Sequence, residues 1–246
     1  MEIKTYKMIV SYVGTEYCGW QVQPGLTTVQ GVIEELLSGV FGKRVILKYA
    51  SRTDSGVHAI AQVACFACES RYSAKEVQKM LNTQLPQDIV IKSVEEVPLD
   101  FDPRKTKMKT YFYLIDNSAV RDPFKIDRAW WIRTKLNKNN MLKALESFKG
   151  KKDFMAFMAS GSGVKTTIRE IYDISVFEKG DVMKISFTGS GFLKQMIRNI
   201  IGTVVEVGRG RFEPEQIEEM LNSKDRRKAG VTAPAYGLYL ERIYYE

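Results

Sequence analysis

Apolar and polar positions alternate over residues 3–13, a run that reads as a strand with one buried face. After a glycine-rich turn the period changes, and Val29, Val32, Ile33, Leu36 and Leu37 recur at helical spacing. Strand patterns return at residues 45–50, 62–68 and 89–97, with an amphipathic helix predicted near 74–82. This part of the chain therefore reads strand, helix, strand, strand, helix, strand.

The later part begins with a basic stretch, PRKTKMK, followed by a strong strand at 110–116 and a helix near 139–148 with a polar start and a Leu/Ala interior. A hairpin-like pair follows at 168–177 and 182–188, then a long helix from Phe192, a short one at 213–221 and a last strand, GLYLERIYY. The pattern predicts an α+β fold of two similar αβ halves, residues 1–105 and 106–246, on a largely antiparallel mixed sheet. A central cleft between the halves is the expected active site. No internal repeat, low-complexity segment or long linker interrupts it.

Composition adds a charge bias to this picture. Of 246 residues, 37 are Lys or Arg and 29 are Asp or Glu, a formal charge of +8 that favours a polyanionic partner. No apolar run approaches the roughly 20 residues needed to span a bilayer, and MEIKTYKMIV reads as a strand instead of a signal peptide. A cytoplasmic protein with no membrane partner is expected. Cys18, Cys65 and Cys68 are too few and too odd a set for a disulfide framework. Cys65 and Cys68 form a CxxC inside the strand-like QVACFACE, where an odd separation sends the two sulfurs to opposite faces. With His58 the sole histidine and no second CxxC, no metal site is expected.

The densest chemistry is SRTDSGVHA, residues 51–59, between two strand signals. An aspartate beside Arg52 can stay ionised and oriented, so Asp54 can serve as nucleophile or base, while Gly56 permits a tight path. An Asx-turn explains the same residues without chemistry. A Ser55/His58 hydrolase is the weaker alternative, because no G-x-S-x-G elbow surrounds the serine. Two glycine runs invite a nucleotide reading and fail it. GSG at 189–191 lacks the third glycine of a dinucleotide turn, and GSGVKT at 161–166 has a valine between Gly163 and Lys165. A helix start beside the first run can still hold an RNA phosphate.

RTDSGVHA resembles the catalytic loop of TruA-type tRNA pseudouridine synthases, and further segments match that family in the same order. They are YVGTEYCGWQ, TVQGVIEELL, LPQDI, KTYFY, MIRNIIGTVVEVGRGR and SKDRRKAGVTAPAYGLYL, which span residues 8–241. The resemblance implies a cofactor-independent isomerase with the pseudouridine synthase fold, acting as a homodimer on uridines 38, 39 and 40 in the anticodon arm of tRNA. It also implies roles. Asp54 would be the nucleophilic carboxylate, Tyr111 the ring that stacks on the extruded base, and Arg198 the partner of the carboxylate. Arg52 would reach the RNA backbone or help displace the base.

The residues give these roles weight of different kinds. Tyr111 sits in an aromatic-rich strand with Tyr113 on the same face, where a core tyrosine is the default. On a helical wheel the apolar positions from Phe192 to Val205 span an arc of about 220°, and Arg198 lies about 20° beyond its edge, bordering the core. Basic residues at 104–109, 149–152, Arg209, Arg211 and 224–228 suit a surface that tracks RNA phosphates. The chain departs from the family pattern at Lys194 and Gln195, where an aromatic and a histidine are frequent, and at Tyr236, often a histidine. A non-catalytic RNA-binding module of the same fold is the rival class, and intact Asp54, Tyr111 and Arg198 argue against it.

Overall fold

A computed structural model describes residues 2–161 and 163–245. Ser162, inside the GSGVKT run, lies outside the described residues. The chain divides into two compact units, Met1–Lys107 with Tyr239–Glu246, and Met108–Leu238.

In the first unit, β1 (Glu2–Tyr12) is the central strand, antiparallel to both β3 (His58–Ser70) and β4 (Ile89–Val97), and β10 (Leu238–Tyr244) adds in parallel at His58 and Ala59. The order is β4-β1-β3-β10. Strand alternation places Tyr6, Met8 and Val10 in the core, and Val29, Ile33 and Leu37 from α1 (Val29–Phe41) and Val77 and Leu81 from α2 (Ala74–Gln84) are buried as well. Thr28 caps α1 by accepting from Gly31 N, and Ser73 and Glu76 form a reciprocal capping box on α2.

The strand expected at 45–50 shrinks to β2 (Lys48–Tyr49) on β3. Side chains of α1 take the amides a longer strand would need. Val45 N donates to Ser38 Oγ at 3.0 Å and Leu47 N to Glu34 Oε1 at 2.7 Å.

The second unit has strand order β5-β9-β8-β7, all antiparallel: β5 (Met108–Asp116), β9 (Val182–Gly189), β8 (Ile168–Lys179) and β7 (Gly150–Asp153). A short β6 (Trp130–Trp131) runs parallel to β5. The pattern reading missed β6 and β7, which at two and four residues are too short to show a period. Helices α3 (Lys138–Glu146), α4 (Met196–Gly208) and α5 (Gln216–Ser223) complete the unit. Its core includes Phe148, Phe154, Phe157, Phe187, Ile200, Ile201 and Val204.

Helix α4 begins at Met196 and not at Phe192, because Gln195 adopts a left-handed conformation (φ 59) that no helix interior contains. The glycines at 189–191 are thereby separated from the helix start. Together the elements form an α+β protein with mostly antiparallel pairing, as the hydrophobic pattern predicts.

Candidate active site

The loop that joins β2 to β3 carries Arg52 and Asp54, and the first unit holds it in place from one side. Trp20 N donates to Thr53 O (3.2 Å), Gly56 N to Tyr17 O (3.3 Å), and Ser55 Oγ also to Tyr17 O (3.2 Å). Tyr12 Oη and Thr53 Oγ1 are 2.7 Å apart in a buried bond, and Gln62 Nε2 donates to Ser51 O at 2.6 Å. Gly19 is essential to this clamp. Its φ of 85 favours glycine, and a Cβ there would lie 2.6 Å from Thr53 O.

The turn is closed by Val57 N donating to Asp54 O at 3.1 Å. Gly56 N, the amide an Asx-turn would direct to the carboxylate, is taken by Tyr17 O. Asp54 is half-buried and Arg52 exposed. His58 is buried, its Nδ1 accepting from Gly14 N (2.9 Å) and its ring 4.6 Å from that of Tyr239. The Ser55 hydroxyl donates to a carbonyl and the His58 Nδ1 accepts an amide, so neither is arranged as a nucleophile and its base. In these contacts the two residues serve the architecture of the loop.

Tyr111 and Arg198 belong to the second unit. Tyr111 lies on β5 opposite Phe187, with its ring edge-on to Phe192 at 5.4 Å, and is 6% exposed. Two residues on, Tyr113 is fully buried and donates its hydroxyl to Pro234 O at 2.8 Å. Two residues earlier on the same face is Lys109, whose ammonium burial pulls down to about 8. In the sequence Lys109 closes a basic run and opens KTYFY, and neither feature signals its burial. Its charged form is disfavoured by folding, so below pH 8 its burial costs stability. Between pH 8 and the unfolded value of 10.5 the unfolded chain binds the extra proton, and stability rises with pH. A ¹³Cε titration of Lys109 is expected to show a midpoint near 8; an ordinary lysine midpoint would refute this.

Among the described residues of α4, Arg198 alone is not buried. Its carbonyl accepts from Ala233 N (3.0 Å), and its Nε donates to Ala233 O (2.8 Å), which fixes the plane of the guanidinium. The wheel places Arg198 at the core's edge and leaves Asn199 and Glu206 outside the apolar arc. Asn199, Thr203 and Glu206 are buried as well, each through polar bonds that periodicity does not reveal. Of the departures from the family pattern, Lys194 is exposed, Gln195 adopts the left-handed turn, and Tyr236 is half-buried, with burial raising its phenol.

Several of the basic residues expected to track phosphate form ion pairs with carboxylates of the same chain. Arg209 and Arg211 both pair with the buried Glu206, at 2.7 and 2.6 Å. Arg104 and Arg227 fork onto Asp102 and Asp225, and Lys149, Lys152 and Lys224 pair with Glu146, Glu218 and Asp153. Lys105, Lys107, Lys151 and Lys228 are exposed and make no ion pair among the described residues. Among the described residues no three His, Cys, Asp or Glu side chains gather to hold a metal, and no helix is long and apolar enough to cross a membrane. Cys65 and Cys68 are buried in β3, and burial raises both thiols, Cys65 to about 11.

The sequence profile of the tRNA pseudouridine synthase family matches residues 8–104 and 144–246. The chain belongs to that family, a class of isomerases. It is 43% identical to "tRNA pseudouridine synthase A" of Pseudothermotoga lettingae, over 98% of this chain and 99% of that protein. It is likewise 43% identical to the Acetivibrio thermocellus protein of the same name over 99% of this chain and 100% of that one, and 44% identical to that of Ruminiclostridium cellulolyticum with the same coverage.

Proposed function

We propose that this protein converts uridine to pseudouridine at positions 38, 39 and 40 in the anticodon arm of tRNA, with Asp54 as nucleophile, without a cofactor, in the cytoplasm and as a homodimer. The observation that supports it most directly is the clamp on the 51–58 loop. It holds the loop around Asp54 through bonds of Thr53, Ser55, Gly56 and Val57 that involve neither Arg52 nor the carboxylate. The reaction breaks the N1–C1′ bond, turns the base and joins C5 to C1′. The C5 hydrogen leaves as a proton and N1 gains one, so atoms and electrons balance with no redox partner.

A carboxylate serves this by trapping or stabilising the separated species, by attack at the base C6 or at the sugar C1′. The target uridine must first leave its stack, and the Tyr111 ring replaces the lost stacking. Arg198 pairs with the carboxylate, and Arg52, exposed beside it, reaches the backbone or helps to displace the base. Incubation with unmodified tRNA and single-nucleotide mapping of pseudouridine tests the reading. Product elsewhere than positions 38 to 40 would move the substrate, and no product would remove the activity.

Binding is expected to weaken steeply with salt, since phosphate contacts release counterions. A plot of log K against log salt should be steeper than about −3, with a shallower slope once Lys105, Lys107, Lys151 and Lys228 are replaced by Gln. An unchanged slope in that variant would place the phosphate contacts on other residues.

A further inference from the structure

Residues 229–233 lie across α4 at a distance that only a glycine permits, because a Cβ on Gly202 would overlap Val231 O. One polar cluster holds them there. Asn199, fully buried within the helix, donates Nδ2 to Phe157 O (2.8 Å), while its Oδ1 accepts from Arg226 Nη2 (2.9 Å) and Thr232 Oγ1 (2.7 Å). Arg226 Nη2 also donates to Thr232 Oγ1 at 3.0 Å, and its Nη1 to Gly230 O at 2.9 Å and Ala229 O at 3.4 Å. Gly230 N in turn donates to Thr203 Oγ1 at 2.9 Å.

Every acceptor of Arg226 is neutral, and no carboxylate pairs with it among the described residues. Burial accordingly lowers its pKa. A half-buried guanidinium bonded only to neutral groups is a costly way to brace a loop, since an apolar side chain would fill the same space without desolvating a charge. What the arginine supplies is geometry. Its rigid fork reaches two carbonyls, an amide and a hydroxyl at once. The braced segment ends at Ala233, the residue whose N–H and C=O both bond Arg198.

We propose that Arg226 is a positioning residue: with Asn199 and Thr232 it braces residues 229–233 on α4, so that Ala233 O sets the orientation of the Arg198 guanidinium. This rests on the reading of Arg198 as the carboxylate's partner. The sequence run SKDRRKAGVTAPA thus has a purpose beyond the phosphate contact proposed for Lys228, for it carries both the brace and the carbonyl it aims.

The test is a double-mutant cycle on the full chain with unmodified tRNA, following tritium release from C5-labelled uridine. Arg226→Gln and Thr232→Val are each measured alone and on an Arg198→Lys background. Arg226→Gln is expected to lower kcat about 30-fold with KM within about twofold, and Thr232→Val to act in the same direction by less. On Arg198→Lys the further loss from Arg226→Gln should fall below about threefold, because the group it positions is gone. A merely structural arginine would cost the same factor on both backgrounds, and that result, or a rise in KM with kcat unchanged, overturns the proposal. If a thermal melt shows Arg226→Gln to be unfolded, Thr232→Val, which removes one hydroxyl at constant volume, decides by the same criterion. A normal kcat in Arg198→Lys alone would sink the role of Arg198 and this proposal with it. A slow Arg198→Lys with a multiplicative cycle sinks the role of Arg226 only.

Discussion

Asp54→Asn protein is expected to fold, to bind tRNA with near-normal affinity and to form no detectable pseudouridine, a loss of at least about 10⁴-fold in rate. The substitution preserves shape and removes the charge on which the proposed nucleophilic role depends. The loop should survive it, since Thr53, Ser55, Gly56 and Val57 make the contacts that hold residues 51–58 to Tyr12, Tyr17 and Trp20. Affinity should survive as well, because on the proposed reading it comes mainly from phosphate contacts and not from the Asp54 carboxylate. No neighbour can substitute. His58 is buried with Nδ1 accepting from Gly14 N, and Ser55 Oγ donates to Tyr17 O. Tritium release paired with a binding titration reads both quantities. Substantial release by folded Asp54→Asn would remove the nucleophile assignment, and joint loss of binding and fold would return Asp54 to a purely architectural role.

Much of the fold was legible because its long elements have strong periods. The alternation in β1 and the helical spacing of Val29, Ile33 and Leu37 mark the buried faces that the structure shows. Legibility failed where side chains replaced backbone pairing or where an element was too short to repeat. Ser38 and Glu34 took the amides of 45–47, Gln195 turned left-handed ahead of α4, and β6 and β7 have too few residues for a period.

The chemistry of the loop at 51–59 stood out because charged, hydroxyl and imidazole groups crowd one turn between strands. What holds it did not. Tyr17 and Gly19 act through a main-chain carbonyl and a missing Cβ, neither of which has a spacing rule. The ion pairs within the basic runs were not legible for a related reason, since composition counts charges without their partners. Glu206, five residues before Arg211, is buried between two guanidiniums that the sequence reading assigned to RNA. One signal for the Asn199 cluster was available: an asparagine, a threonine and a glutamate inside MIRNIIGTVVEVG are polar residues in an apolar helix, and such residues need buried partners.

Arg198→Ala is expected to lower turnover by about 10²- to 10³-fold while tRNA affinity changes by less than about threefold. The side chain can be removed with little harm to the helix, because the bond from Ala233 N to Arg198 O belongs to the main chain. One local cost remains. Ala233 is fully buried and its carbonyl loses the Nε donor, a penalty of about 1–2 kcal/mol that should appear as a drop of a few degrees in Tm. That penalty acts on stability, and at temperatures well below Tm it leaves nearly all molecules folded, so it cannot produce a hundredfold fall in rate. A fall of that size must come from the lost guanidinium. Arg198→Lys should recover the charge without the fork and restore only a small part of the rate, since an ammonium cannot bond Ala233 O through Nε and still present a second edge. Free guanidinium ion added to Arg198→Ala should restore more than ammonium at equal concentration. A near-normal rate in Arg198→Ala would remove the residue from the site, and equal rescue by the two ions would reduce its role to charge alone.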